Sequence, residues 1–301
     1  MSADGSLRAV LYALSANFGI FVAKGVAAAI TGSSSMLAEA IHSFADCGNQ
    51  GLLLLGMREA KRAPDREHPL GYGKVVYFWA FLVALMLFSV GGAFSIYEGI
   101  HKLSEPSPLS WAGIAIAVLA IGVALESFSL AGCVREIRKI ARGRSLWQFF
   151  RRSSNSDLIV VLAEDIAALA GLVVALIAVT LTLVTGNPVF DAAGSIVVGA
   201  LLVLVALLLV VEIKGLITGQ SADPEVEGEI RAFILARPEV AEVFHLITLH
   251  MGSEVMVAVK ARMRETQDAA RLVEDVNRVE AEVRRAFPDV EWLFFEPDNK
   301  A

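Results

Sequence analysis

The chain has 301 residues, 55% of them hydrophobic and 19% charged, with a formal net charge of -6 and a mean hydropathy of +0.60. So much apolar surface excludes an ordinary soluble domain of this size and points to a multi-span membrane protein. The acidic balance argues against a nucleic-acid partner, and the two cysteines, Cys47 and Cys133, supply neither a disulfide framework nor a zinc-ribbon spacing.

Six apolar segments are long enough to cross a bilayer, which takes roughly 20 residues each. They run over approximately 8–30, 33–57, 75–102, 109–134, 157–184 and 189–213. The N-terminal MSADGSLRAV lacks the basic region and cleavage site of a signal peptide, so the first segment is expected to stay as a span. The connections alternate in charge. TGSSS and TGNPV carry none, and HKLSEPSPLS offers Lys102 as its firm cation. REAKRAPDREHPLGYGK holds Arg58, Lys61, Arg62, Arg66 and Lys74. REIRKIARGRSLWQFFRR holds Arg135, Arg138, Lys139, Arg142, Arg144, Arg151 and Arg152. Basic loops stay in the cytoplasm, so both termini are expected there, with a bacterial inner (plasma) membrane as the expected location.

The second segment is the least typical of a span. SSSMLAEAIHSFADCGNQ carries Glu39, His42, Asp46 and Asn49 within three helical turns. His42 and Asp46, four residues apart, sit one above the other on one face. A charged group at mid-membrane costs about 2.5–3.5 kcal/mol on insertion scales, which makes such groups functional candidates. Imidazole with carboxylate suits zinc and other divalent transition metals; a polar pair hydrogen-bonded to a neighbouring helix would explain the same residues. The fifth segment, SDLIVVLAEDIAALAGLVVAL, adds Glu164 and Asp165 with no nearby cation in sequence. If it packs on the second, an imidazole and two or three carboxylates converge, and a bound cation would balance their charge. Asp157 is expected to cap the fifth span, and Asp191 to favour the dipole of the sixth. Cys47 is rotated about 100° from Asp46 and reads as packing.

After Gly219 the chain reads as a small charged domain: a helix opened by Asp223 and Pro224, strands VAEVFHLITLH and SEVMVAVKARM joined at Met251–Gly252, a helix with Leu272, Val276, Val279, Val283 and Phe287 on one stripe, and a last strand VEWLFFEP. The expected organisation is an α-helical membrane protein, with a six-helix transport domain over 1–219 and an αββαβ, ferredoxin-like or metallochaperone-like α+β domain over 220–301. The small core of that second domain favours dimerisation.

Taken together, six spans, the intramembrane pair His42 and Asp46, the acidic site in the fifth span and the αββαβ tail resemble the cation diffusion facilitator family of zinc-type efflux transporters. HPLGYGK at His68 and VAEVFHLITLHMG are similar to further family segments. AEAIHS and LAED are similar to the zinc-transporter-nine type branch. The resemblance implies a homodimer that exchanges a divalent cation for protons, with no organic cofactor and no enzymatic activity. The cargo is expected to be Zn2+, with Fe2+, Co2+, Mn2+ and Cd2+ as alternatives. Three ligands carry over, His42, Asp46 and Asp165; Val161 stands where a fourth is usual, and Glu164 or a water would complete the set. A second family site matches at Asp65 and His68, but Tyr72 replaces its later histidine, leaving two ligands that would hold a metal weakly. In the tail, Phe244, Lys260 and Phe294 occupy histidine positions and only Glu296 matches; His245 and His250, five apart in a strand, point to opposite faces. Rival readings are a metal-responsive receptor without transport and an intramembrane metalloenzyme, the latter lacking an HExxH or other catalytic signature.

Overall fold

The computed structural model describes residues 3–106, 108–140, 143, 145–152, 156–265 and 268–300, with the side chains of the first helix described from Asn17 onward. The side chain of Asp157 lies outside the described residues, as do Arg142 and Arg144. The elements are α1 (Ala3–Thr31), α2 (Ser34–Ala60), α3 (Val75–Met86), a π-helical segment (Leu87–Ala93), α4 (Phe94–Ser104), α5 (Ala112–Ile140), α6 (Leu146–Arg152), α7 (Ser156–Thr185), α8 (Val189–Thr218), α9 (Pro224–Leu235), β1 (Val240–Met251), β2 (Glu254–Met263), α10 (Ala269–Ala286) and β3 (Val290–Pro297). The chain divides into two compact units, the first comprising Met1–Gly56, Phe78–Arg151 and Ser156–Ile213, the second Met57–Tyr77, Arg152–Asn155 and Lys214–Ala301.

In the first unit, four helical stretches among the described residues are long and apolar enough to cross a membrane: Val75–Ser104, Ala112–Lys139, Leu158–Thr185 and Val189–Thr218. A shorter apolar helix covers Asn17–Thr31. α2 has the length of a span, but Glu39, His42, Asp46, Asn49 and Gln50 lower its hydropathy. Of these polar side chains, which lipid would exclude, Glu39, His42 and Asn49 are buried.

The stretch Val75–Ser104 contains the π-helical turn at Leu87–Ala93, where Gly91 and Gly92 sit. A side chain on Gly92 would meet Val203 Cγ2 at 2.6 Å, and one on Gly199 would meet the Gly92 carbonyl at 2.7 Å. The backbones of this stretch and α8 therefore approach as closely as small residues allow. Between helices in lipid this is a main source of packing energy, because apolar burial drives little there. A second contact layer joins α1, α2, α5 and α7 through Ala28, Met36, Leu119, Leu172 and Val179.

The second unit carries a three-stranded sheet in the order β1-β2-β3. β1 and β2 are antiparallel, with Leu249 opposite Met256; β2 and β3 are parallel, with Val257 beside Leu293. Alternation along β2 buries Val255, Val257, Val259 and Ala261 against Ile230 and Ile234 of α9 and Val279 and Val283 of α10. Both helices begin with aspartate caps: Asp223 accepts from Glu225 N at 3.0 Å and Asp268 from Ala270 N at 2.9 Å. On the other face the register makes two cross-strand rows, His245–Lys260–Glu296 and Ile247–Ala258–Phe294.

The β1–β2 turn in this unit docks onto the chain that leads into α3. The Tyr77 hydroxyl accepts from Gly252 N at 3.0 Å and donates to Gly252 O at 3.3 Å. Gly252 has φ +81°, and a side chain there would lie 2.4 Å from the Gly73 carbonyl; one on Gly73 would lie 1.9 Å from the Met251 carbonyl. Glycine is required at both positions by contact, and at Gly252 also by backbone conformation.

Candidate transport site

α2 presents a polar stripe at helical spacing, made of Glu39, His42, Ser43, Asp46 and Asn49. The helix begins at an unusual cap. Asp191, from the first turn of α8, accepts from Ser33 Oγ at 2.6 Å, Ser34 N at 2.7 Å, Ser34 Oγ at 3.1 Å and Ser35 N at 3.3 Å. Lys102 Nζ lies 3.5 Å from Asp191 Oδ2 and also donates to the Gly32 carbonyl. A carboxylate expected to serve its own helix thus satisfies the amides of α2 as well, and it is fully buried.

Further along α2, Lys24 of α1 donates to Glu39 Oε2 at 3.1 Å and to Ser43 Oγ at 2.9 Å. Lys24 and Glu39 are buried at 1% and 0% exposure. His42 follows, also buried, its Nδ1 3.6 Å from Asp46 Oδ1. Among the described residues neither ring nitrogen of His42, nor Asp46 Oδ1, has a hydrogen-bond partner. Buried polar atoms are nearly always paired, so each unpaired one calls for an explanation such as strain, a water or an ion.

α7 supplies the facing acids, but the two point to different neighbours. Glu164 is buried and accepts from Asn49 Nδ2 of α2 at 2.5 Å. Asp165 is half-buried, and the Ser129 hydroxyl of α5 stands 3.5 Å from each of its oxygens. Among the described residues no three His, Cys, Asp or Glu side chains are close enough together to hold a metal ion. The arrangement is therefore an acidic, buried polar seam between α2 and α7, in which His42 and Asp46 adjoin and Asp165 stands off toward α5.

Several of these partners escape the sequence. Lys24 is a lone cation inside AKGVAAAI, and that isolation was its only signal. Ser129 and the double role of Asp191 have no local signature, because both depend on which helix lies opposite.

The loop before α3 is built differently. Asp65 Oδ1 accepts from the amides of Glu67 at 3.0 Å and His68 at 2.7 Å, while Oδ2 accepts from the Tyr72 hydroxyl at 2.7 Å. The Tyr72 bond, followed by that from the His68 amide, holds the Asp65 carboxyl below its ordinary range and pushes the Tyr72 phenol up. His68 Nδ1 lies 3.6 Å from Asp65 Oδ1, its ring 4.2 Å from that of Tyr72, and Arg62 lies over the other aromatic contact at 4.2 Å from the Tyr72 centroid. Both Asp65 oxygens are already engaged. In the sheet domain, Lys260 is tied to Asp298 at 2.7 Å and Arg262 lies 5.2 Å from the Phe244 ring.

Residues 10–214 match the cation efflux transmembrane domain family. The chain belongs to that family, whose members are multi-pass membrane proteins. It is 35% identical over 254 residues to a mitochondrial proton-coupled zinc antiporter of Xenopus laevis, covering 84% of this chain and 45% of that protein. The human protein of the same name is 34% identical over 224 residues, 74% of this chain and 39% of its own. The zinc transporter ZitB of Pectobacterium atrosepticum is 26% identical over 268 residues, 88% and 78% of the two chains. The chain thus spans less than half the length of the two antiporters.

Proposed function

We propose that this protein carries a divalent cation, zinc in the first place, out of the cytoplasm in exchange for protons, and that it is a transporter and not an enzyme. The observation that carries the reading is that the buried atoms of α2 left unpaired among the described residues include both nitrogens of His42 and Oδ1 of Asp46, on the face that meets the acids of α7. An imidazole with carboxylates suits zinc, iron or cobalt better than a metal that prefers only oxygen. The names of the relatives, zinc antiporters and a zinc transporter, point the same way.

In this reading His42, Asp46 and Asp165 are the ligands, with Glu164 or a water completing the shell. Metal ligands must be deprotonated, so cation and protons compete for the same groups and exchange follows. Cation loading requires Asp165 to leave Ser129 and turn toward Asp46, a motion that closes α7 on α2. Each proton returning inward contributes about 2.3 kcal/mol per 100 mV of membrane potential. Asp65 and His68 are a second, weaker candidate pair at the cytoplasmic mouth, open to a metal once Tyr72 releases Asp65. Six spans over 1–219, with α1 and α2 as the first two, place both termini in the cytoplasm. The family's αββαβ ferredoxin-like tail over 220–301 completes a homodimer in a bacterial inner membrane.

The test is uptake into proteoliposomes under an imposed pH gradient, with Zn2+, Fe2+, Mn2+, Co2+ and Cd2+ in competition. Asp46→Ala and Asp165→Ala abolish flux while the protein stays folded in detergent. Wild-type flux in either variant overturns the site. Metal binding without flux in the intact protein favours a receptor instead.

A further inference from the structure

Lys24 is a cation where a cation carrier should not want one. It is buried, and it reaches the stripe of α2 that carries His42. Its hydrogen bonds go to Glu39 Oε2 and Ser43 Oγ. Glu39 lies on the same stripe of α2 as His42, three residues away, a spacing that puts both on one face. The second oxygen of Glu39, Oε1, is buried without a hydrogen-bond partner among the described residues and abuts α7, where a side chain on Gly171 would come within 2.5 Å of it. Glu39 is therefore a carboxylate beside the candidate ligands, half-engaged by an ammonium and half-free.

We infer that Lys24 is a tethered counter-cation that keeps Glu39 out of the ligand set, so that Lys24 and Glu39 together set which divalent cation the site accepts. The inference rests on the reading of His42 and Asp46 as ligands. With the ammonium in place, Glu39 is neutralised and its Oε2 is committed, and the cation meets one imidazole and few carboxylates. That donor set favours zinc over manganese, which prefers oxygen. Without the ammonium, Glu39 becomes an additional hard ligand within reach of a cation at His42. Gly171 keeps the pocket around Oε1 open enough for the carboxylate to be used, since any larger residue there would displace it. The ion pair also fastens α1 to α2, which is why stability and selectivity must be separated in the test.

The experiment measures equilibrium Zn2+ and Mn2+ binding to the purified full-length protein in detergent, alongside its thermal unfolding. Lys24→Met is expected to tighten Mn2+ binding by about tenfold or more, the scale of one well-screened charge near a dication, and to tighten Zn2+ less, so the preference for zinc falls. Lys24→Met with Glu39→Gln returns the Zn2+ to Mn2+ ratio to the wild-type value, because the added ligand is gone. Should Lys24→Met not fold, Lys24→Gln keeps hydrogen-bonding partners for Glu39 and Ser43 while removing the charge, and carries the same expectation. Glu39→Gln alone leaves the ammonium uncompensated and weakens both metals. An unchanged Zn2+ to Mn2+ ratio in the folded Lys24 variants, with lowered melting temperature only, shows a purely structural pair and overturns the inference. Asp46→Ala separates the two claims: if it binds zinc like the wild type, the ligand assignment falls and this inference with it; if it does not bind while the Lys24 variants keep the wild-type ratio, only the inference falls.

Discussion

The backbone amide of Ser34 donates to Oδ2 of Asp191 at 2.7 Å, so the first turn of α2 is capped by a carboxylate from α8, 157 residues away. The same oxygen lies 3.5 Å from Lys102. The start of α2 is thereby tied to two other helices at one buried point.

Asp191→Ala should therefore cost more than an ordinary cap. Loss of an N-cap costs about 1 kcal/mol, and breaking a buried ion pair by removing one partner costs about 3–5 kcal/mol. Asp191→Asn retains an oxygen for Ser34 but leaves Lys102 uncompensated, so it should fall between wild type and Asp191→Ala. Adding Lys102→Met to Asp191→Asn should recover part of the loss. Denaturation in detergent checks the order; equal stability of all four would show that the cap contributes nothing.

The contact of Tyr77 with Gly252 should be sensitive to a single atom. Tyr77→Phe removes one acceptor and one donor and strands the Gly252 amide, at about 1–3 kcal/mol for an unsatisfied buried group. Gly252→Ala should be worse, since it combines φ +81° with a 2.4 Å approach to the Gly73 carbonyl. Protease sensitivity of the β1–β2 turn should rise in both variants, and more in the second. Unaltered cleavage in Gly252→Ala would contradict the docked turn.

The Asp65–Tyr72 bond predicts a pH response in the loop. The Asp65 carboxyl is held below its ordinary value, chiefly by Tyr72, so its contribution is present above about pH 4, the unfolded carboxylate value. It is lost as pH falls through the lower, folded value. Tyr72 runs the other way: its phenol is raised, so that contribution holds below about pH 10 and is lost as pH rises through the folded value. Tyr72→Phe should return the Asp65 titration upward, read by NMR of labelled aspartate. If the Tyr72 bond is also what keeps metal from Asp65, the same variant should bind zinc more tightly at the loop.

Ile247 and Phe294, on one cross-strand row, are 61% and 53% exposed. With Lys260 held by Asp298 in the adjacent row, this face offers apolar area that a second copy of the chain could cover. The full-length protein is expected to form a dimer in detergent even with a chelator present, and Phe294→Glu should shift it toward monomer. A wild-type dimer that dissociates on chelation would show a metal-dependent interface.

The sequence alone determined the parts whose information is local. Long apolar runs, alternation along β2, the Asp223 cap and the His42–Asp46 spacing depend only on neighbours within a few residues, and each can be read from periodicity or from one residue type at one offset. It also showed that α2 carried more polarity than lipid tolerates. What those polar groups face was decided only by tertiary structure, because partner choice across helices has no fixed sequence offset. Asp165 was expected to meet His42 and Asp46, yet in this conformation it stands beside Ser129 of α5 while Glu164 reaches Asn49. Lys24 gained its meaning from Glu39, 15 residues on, and Asp191 from Ser34, across the whole first unit. The π-helical turn at Leu87–Ala93 likewise belongs to the packed state, where the backbone at Gly92 approaches α8. A buried charge is costly wherever it sits; only the fold says which opposite charge has been brought to meet it.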